Sequence, residues 1–416
     1  MGFGQALSGL ASSASNLDII GNNIANSGTV GFKSSTGTFA DIYANAAVGL
    51  GTQLTGVVQN FNTGTLANTG NPYDLAVDGP TGFFRVQDPA GIIKYTRNGQ
   101  FLPDSAGFLT NVQGDRLTAY ALDGITLVPV RVPTGNISPR ATQDLTGETP
   151  VVYGLTSRVN LNANEPVSAA WALDLDDGPA SGSFSHSLPV NVYDSQGNSH
   201  QLLQYFSKTA DNAWKVYYVG TDTDGKYFDA GEMELSFTAA GLLKLSDPPA
   251  DAEYLGEVKM LSAQLGNGVD DLSFKIDYRD STQFGGSFNY NFSQTGYQTG
   301  EFASMSFDPD GAIKANYTNG QTATIANLVL ADFTNVAGLK AVGGNSWVET
   351  TASGQPVLGT PSANGMSAIA SMVVEESNVD LSKELVNLII AQRTYQANSQ
   401  TIKTQDQILQ SLINLR

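Results

Sequence analysis

A seven-residue apolar repeat occupies both ends of this 416-residue chain and is missing between them. At the start, Phe3, Leu10, Leu17 and Ile24 recur at heptad spacing, with Ile20 on the same face. The positions around them are filled by Ala, Ser, Gly and Asn. A single apolar seam with small flanks predicts a helix that another helix can approach closely. Asn26-Ser27-Gly28 stops it. At the other end Leu381, Leu388, Tyr395, Ile402 and Leu409 repeat the spacing. Leu385 and Ile413 fill the companion position, which Gln392, Ser399 and Asp406 interrupt. Asp380 is suited to the N-cap, and Glu384 in the first turn favours the helix dipole. At 1.5 Å per residue the helices would be about 35 and 50 Å long. An ordinary helical pair inside one globule is the plainer reading. The sharper one is a coiled coil of both termini that packs against copies of itself. A lone pair with polar breaks is marginally stable, so most of its order would come from neighbouring subunits.

From about residue 34 to residue 365 the period changes to two, as in Phe83-Phe84-Arg85-Val86, Trp214-Lys215-Val216-Tyr217-Tyr218 and Ser273-Phe274-Lys275-Ile276-Asp277-Tyr278. Asn98-Gly99, Asp123-Gly124, Asp224-Gly225, Asp310-Gly311 and Asn319-Gly320 punctuate these runs. Such dipeptides between alternating segments are strong hairpin signals. The expectation is antiparallel β-domains without βαβ units. Arg97–Phe101 with Asp104–Leu109, and Gly300–Phe302 with Asp308–Ile313, are alike in design though about 200 residues apart. They would belong to one domain with a second β-domain inserted between them. The segments Leu145–Glu165 and Gln283–Thr299 suit the two crossings. Residues 34–74, rich in Gly, Thr and Asn, look like an extended connector.

Charge narrows the function. Asp and Glu total 39 against 21 Lys and Arg, a net of -18. With 41% hydrophobic residues this is no disordered acidic tail. The acidity argues against nucleic acid and against anionic membrane surfaces. Residues 1–40 carry no net charge and residues 375–416 only -1, which leaves -17 on the middle. Near-neutral ends can crowd together while the acidic middle stays soluble. The first basic residue is Lys33, so no basic region opens a classical secretory signal. No apolar run approaches the ~20 residues of a membrane span.

Catalytic and metal motifs are weak. Cysteine is absent, which removes disulfides, thiolate catalysis and Cys-based metal sites. The two histidines, His186 and His200, are too few for a His-rich centre. Asp222-Thr223-Asp224-Gly225 opens like a Ca²⁺ loop, but Gly220 stands where a further oxygen ligand belongs. It reads as a turn, as does Asp308-Pro309-Asp310-Gly311. Asp194, Ser195 and His200 have the residue types of a hydrolytic triad without a nucleophile elbow. Gly49-Leu50-Gly51 lacks the third glycine of a dinucleotide loop. Trp171, Trp214 and Trp347 read as core or rim rather than as a sugar platform. No cofactor, metal or enzymatic activity is expected.

Asn22-Asn23-Ile24-Ala25-Asn26-Ser27-Gly28-Thr29-Val30-Gly31-Phe32-Lys33 resembles the N-terminal signature of the bacterial flagellar rod and hook axial proteins. Ser377–Leu388 and Gln392–Asn398 resemble their C-terminal signature. Asp74–Gly79, Gly82–Val86, Tyr95–Phe101, Val192–His200, Asn316–Gln321 and Ser353–Gly359 are similar to segments of the hook branch of that family. The resemblance is weakest around residues 160–185 and 220–265. It implies a mainly β chain with terminal α-helices: a helical coiled-coil domain from 1–33 and 375–416, the connector 34–74, a middle β-domain from 75–145 and 298–374, and an inserted outer β-domain, 146–297.

The function implied is that of a structural subunit polymerising into a flexible extracellular tube, a universal joint carrying torque from rod to filament. The subunit would leave through the flagellar type III export apparatus without signal cleavage. Its partners would be itself, the distal rod protein, the hook cap and the hook–filament junction protein, with no nucleic acid and no membrane insertion. Assembly would rest on Phe3, Leu10, Leu17, Asn22, Asn23, Ile24, Asn26, Gly31, Phe32 and Lys33. At the other end it would use Asn378, Asp380, Leu381, Leu385, Leu388, Arg393, Tyr395, Gln396, Asn398, Ile402 and Leu409. Lys33 and Arg393 are expected only to pack or hydrogen-bond. A distal rod or junction protein is the nearest alternative, and a secreted β-sandwich adhesin or sugar-binding module is the alternative of another class.

Overall fold

The computed structural model describes residues 3–42, 49, 51–246 and 251–414. Leu50 of the weak glycine motif and the side chain of Ile413 lie outside this description. The chain forms two compact units, one from residues 1–134, 303–316 and 322–416 and the other from 135–302 with 317–321. The division after residue 134 lies about ten residues before the expected boundary at 145/146.

In the first unit two long helices, Phe3–Ala25 and Leu381–Asn414, accompany an antiparallel sheet. Strand Arg116–Tyr120 pairs with Phe83–Gln87 on one side and with Thr322–Leu328 on the other. Segments from before and after residues 135–302 therefore share one sheet. Ile93–Thr96 and Ser346–Val348 extend it beyond Phe83–Gln87. Its core is aromatic. Phe83 meets Phe61, Phe333 and Trp347 edge-on, with centroids 5.5–6.0 Å apart. That geometry suits ring quadrupoles. The Trp347 indole donates to Gln59 Oε1 at 2.6 Å.

The segment expected to be an extended connector is largely folded. Ser35–Asp41 and Thr52–Gln59 form an antiparallel hairpin with a bulge after Thr38. Ser12 Oγ donates to the Thr52 carbonyl at 3.0 Å. A Cβ on Gly37 would lie 3.0 Å from Ile19, so the hairpin is laid on the N-terminal helix. Composition suggested a linker, but the Thr and Val content that suits strands finds a surface to pair over.

The second unit packs a four-stranded antiparallel meander, His186–Tyr193, Ser199–Ala210, Ala213–Thr221 and Tyr227–Ser236, over a second sheet. Leu155–Asn162 lies centrally in that second sheet. It runs antiparallel to Asn289–Gln294 but parallel to Leu272–Asp277 and Thr282–Phe284. The all-antiparallel expectation fails at these pairings. Residues 277–284 return beside 155–162 in the same direction after a crossing of more than a hundred residues, and local alternation carries no record of such a pairing. Trp214, Tyr218 and Tyr278 are fully buried here. The Trp214 indole donates to Gln283 Oε1 at 2.8 Å.

His186 is stacked on Phe288, with centroids 4.5 Å apart, and faces Trp214 at 6.0 Å. Its Nε2 is buried without a partner. Burial lowers its pKa from the usual 6.5, opposed by Glu165. The folded chain thus holds the neutral ring, while the unfolded chain takes up a proton more readily. The stability from this site is complete above pH ~6.5 and is lost as pH falls through the lower folded value. Thermal melts between pH 7.5 and 5 should show a falling midpoint for the second unit, and His186→Phe should flatten that slope. An unchanged slope in the variant would remove His186 as its cause.

Candidate assembly site: the helix pair and its buried latch

The two terminal helices lie side by side, and small residues face the contact. On the N-terminal helix the buried side chains are Ala6, Ser12, Ser13, Ile20 and Asn23. Of these, Ala6, Ser13 and Ile20 have heptad spacing, on a stripe next to the apolar seam read from the sequence. A Cβ on Gly9 would lie 3.0 Å from the Asn398 amide. That amide donates to Ser13 Oγ at 3.5 Å. Ala391 is the one fully buried side chain of the C-terminal helix among the described residues. An open cavity of about 520 Å³ lies between the helices and the hairpin, lined by residues such as Ser12, Asn16, Ile19, Phe39, Asn387 and Ile390.

The expected seams are only partly used within the chain. Leu10, Leu17, Ile24, Leu388 and Ile402 are half-buried. Phe3, Leu381, Leu385, Tyr395 and Leu409 are exposed, as are Leu7, Val386, Ile389, Ile390 and Ile408. Arg393 and Gln396 also face outward.

The polar signature residues gather at the root of the pair. Asn23 is buried and clamps Ser35, donating to its carbonyl at 2.8 Å and accepting from its N–H at 2.9 Å. Exposed Asn22 and the neighbouring Asn26 close the helix end, where the Asn26 amide reaches the Asn22 carbonyl at 3.0 Å. Asn378 accepts from the Ser34 N–H and donates to the carbonyls of Asn60 and Asn62. Asp380 Oδ1 accepts from the Lys383 N–H at 3.1 Å, the cap expected there. The Phe32 carbonyl accepts from the Asn378 N–H.

At the centre is a charged cluster with no solvent exposure. Lys33 Nζ stands 2.6 Å from Glu375 Oε1, and Arg97 reaches Glu375 Oε2 at 3.4 Å. Lys33 also donates to the Asn62 carbonyl, and Arg97 to the carbonyls of Gly79 and Pro80. The Gly64 N–H donates to Glu375 Oε1, and the Gly31 N–H to the Glu375 carbonyl at 2.7 Å. Gly31 has φ +71°, and a Cβ there would fall 2.6 Å from the Asn98 backbone nitrogen, so both conformation and space require glycine. Burial lowers the pKa of Lys33 and of Arg97, and Glu375 opposes it in both. Sequence reading gave Lys33 a packing role and missed Glu375 and Arg97. The available signal was an acid closing the apolar run Met372-Val373-Val374.

The motifs weighed for chemistry are turns. Asp194 accepts from the N–H groups of Gln196 and Asn198 and from His200 Nε2 at 2.9 Å. Burial alone would raise its pKa, but these bonds hold it below the ordinary value. Asp222 caps its own turn through the N–H groups of Asp224 and Lys226. Trp171 lies flat on Tyr217, centroids 4.1 Å apart, and Trp214 is core, so neither offers an open stacking platform.

Four family models match the chain in order: flagella basal body rod protein over residues 5–33, flagellar hook protein FlgE/F/G D1 domain over 76–146, flagellar basal body protein FlaE D2 domain over 160–297, and flagellar basal body rod FlgEFG protein C-terminal over 370–415. The flagellar hook protein FlgE of Salmonella typhimurium is 40% identical over the full length of both chains. This chain belongs to the flagellar hook protein FlgE family. The Escherichia coli K12 hook protein is likewise 40% identical over both full lengths. The crystal structure of Helicobacter pylori flagellar hook protein FlgE2 aligns with TM-score 0.52 at 14% identity, covering 74% of this chain and 99% of that one. That likeness concerns the fold.

Removing one member of a buried charged cluster strands the others, at a cost of about 3–5 kcal/mol. Glu375→Gln should therefore destabilise the first unit by that order in chemical denaturation. Arg158→Ala, which breaks the exposed Arg158–Asp280 pair, should cost under about 1 kcal/mol. Similar losses in both variants would show that the latch is not a special constraint.

Proposed function

We propose that this flagellar hook protein assembles with copies of itself through its terminal helices into a tubular polymer outside the cell. The observation that carries the reading is the C-terminal helix: 34 residues long, with Leu381, Leu385, Val386, Ile389, Ile390, Ile408 and Leu409 all exposed. A helix apolar on its open faces is unfinished as a monomer. At about 51 Å it also outreaches the N-terminal helix, about 35 Å long, so its far end has no intrachain helix beside it.

The division of labour suits a joint between rod and filament. Apolar helix contacts are close-packed and resist sliding, whereas wet polar contacts exchange partners at low cost. Helices that pack tightly and acidic β-units that meet through water would bend as they rotate without coming apart. The same reading places the distal rod protein, the hook cap and the hook–filament junction protein at the ends of the polymer. It takes the subunit out through the flagellar type III export apparatus, with the signal peptide dispensed with.

Leu385→Asp combined with Ile389→Asp should leave the melting of both units unchanged and abolish polymerisation, read by sedimentation and negative-stain microscopy. Tubes of normal length from that variant would refute helix-driven assembly. Straight, rigid wild-type polymers would favour a rod role.

A further inference from the structure

Residues Ser281 to Gly300 contain no Asp, Glu, Lys, Arg or His. They belong to the second unit, whose residues carry 22 acids against 9 bases. At the centre of this charge-free run is strand Asn289–Gln294. It pairs with Leu155–Asn162 along one edge, and among the described pairings nothing covers the other edge. Five of its six residues are exposed. Tyr290 and Phe292 point outward with ring centroids 6.4 Å apart, and Phe284 is exposed on the strand before. Alongside is an open cavity of about 420 Å³, lined by Pro189, Asn191, Tyr193, Gln201, Phe292 and Gln294. None of these is charged.

Open edge strands are normally guarded by a charge, a proline or a bulge, because they template pairing with another chain. This strand carries neither a charge nor a proline. Elsewhere on this unit two copies would bring carboxylates against carboxylates. Here they would bring aromatic rings and amides together, a composition characteristic of interface cores, which are depleted in charge. We propose that the strip centred on Phe284, Tyr290 and Phe292 is where the second unit docks on another copy of the chain. The proposal rests on the polymer reading above and adds a second contact, separate from the helices.

Hydroxyl-radical footprinting of wild-type monomer and polymer tests it without a substitution. Labelling of Phe284, Tyr290 and Phe292 should fall several-fold on polymerisation, while buried Trp214 stays low in both states. In addition, Tyr290→Asp with Phe292→Asp should raise the monomer concentration in equilibrium with polymer tenfold or more, with partial recovery in high salt. A polymer whose strip is labelled as fully as the monomer's overturns the docking proposal and leaves helix-driven assembly standing. Protection of the strip in monomer by a neutral glucan such as dextran, with no change on polymerisation, assigns it to saccharide instead. A wild-type chain that stays monomeric overturns the assembly reading and this proposal with it.

Discussion

The arrangement of the first unit depends on one carboxylate. Glu375 neutralises Lys33 and holds Arg97 in a site without water, and none of the three is tolerable there without the others. Their hydrogen bonds reach Asn62, Gly64, Gly79 and Pro80. Four stretches of chain that are remote in sequence must therefore meet before any of these charges is satisfied. The two helices leave from this point, one just before Lys33 and one just after Glu375. Asn23 and Asn378 fix how they leave, because each binds backbone on both its donor and its acceptor side. Helix register is thereby set at the root, where the polar groups are buried.

That placement explains how poorly the helices are joined along their length. Ala6, Gly9, Ser13 and Ala391 give close approach and little apolar area. Burying a Leu or Ile side chain contributes about 1.5–3 kcal/mol, and most such residues on the C-terminal helix remain in solvent. The root supplies direction, and the energy available from the helices is left for contacts beyond the chain.

Much of this was legible beforehand, for identifiable reasons. Heptads announce helices because 3.6 residues per turn puts every seventh residue on one face. Asn-Gly and Asp-Gly announce turns because few residues accept positive φ. The face that a helix buries was less legible. The apolar stripe of Leu10 and Leu17 is the stronger pattern, but within one chain the neighbouring stripe of Ala6, Ser13 and Ile20 is the one covered. The latch was hidden because its members are 342 and 278 residues apart, and no local pattern records a pairing at that range. The same limit hid the parallel pairing of Leu155–Asn162 with Leu272–Asp277.

The second unit sits inside the loop that the latch closes. Lys33 and Glu375 are 342 residues apart, and residues 135–302 are about half of that span. Loop-closure entropy rises only with the logarithm of length, about 0.6 kcal/mol per doubling. A latch between buried charges is several times stronger than that. The inserted stretch is therefore almost free, in thermodynamic terms, to lengthen, shorten or be exchanged for another domain, provided that its two ends return to the same place. Variation among such subunits has an inexpensive outlet there, whereas the residues around Glu375 have almost none.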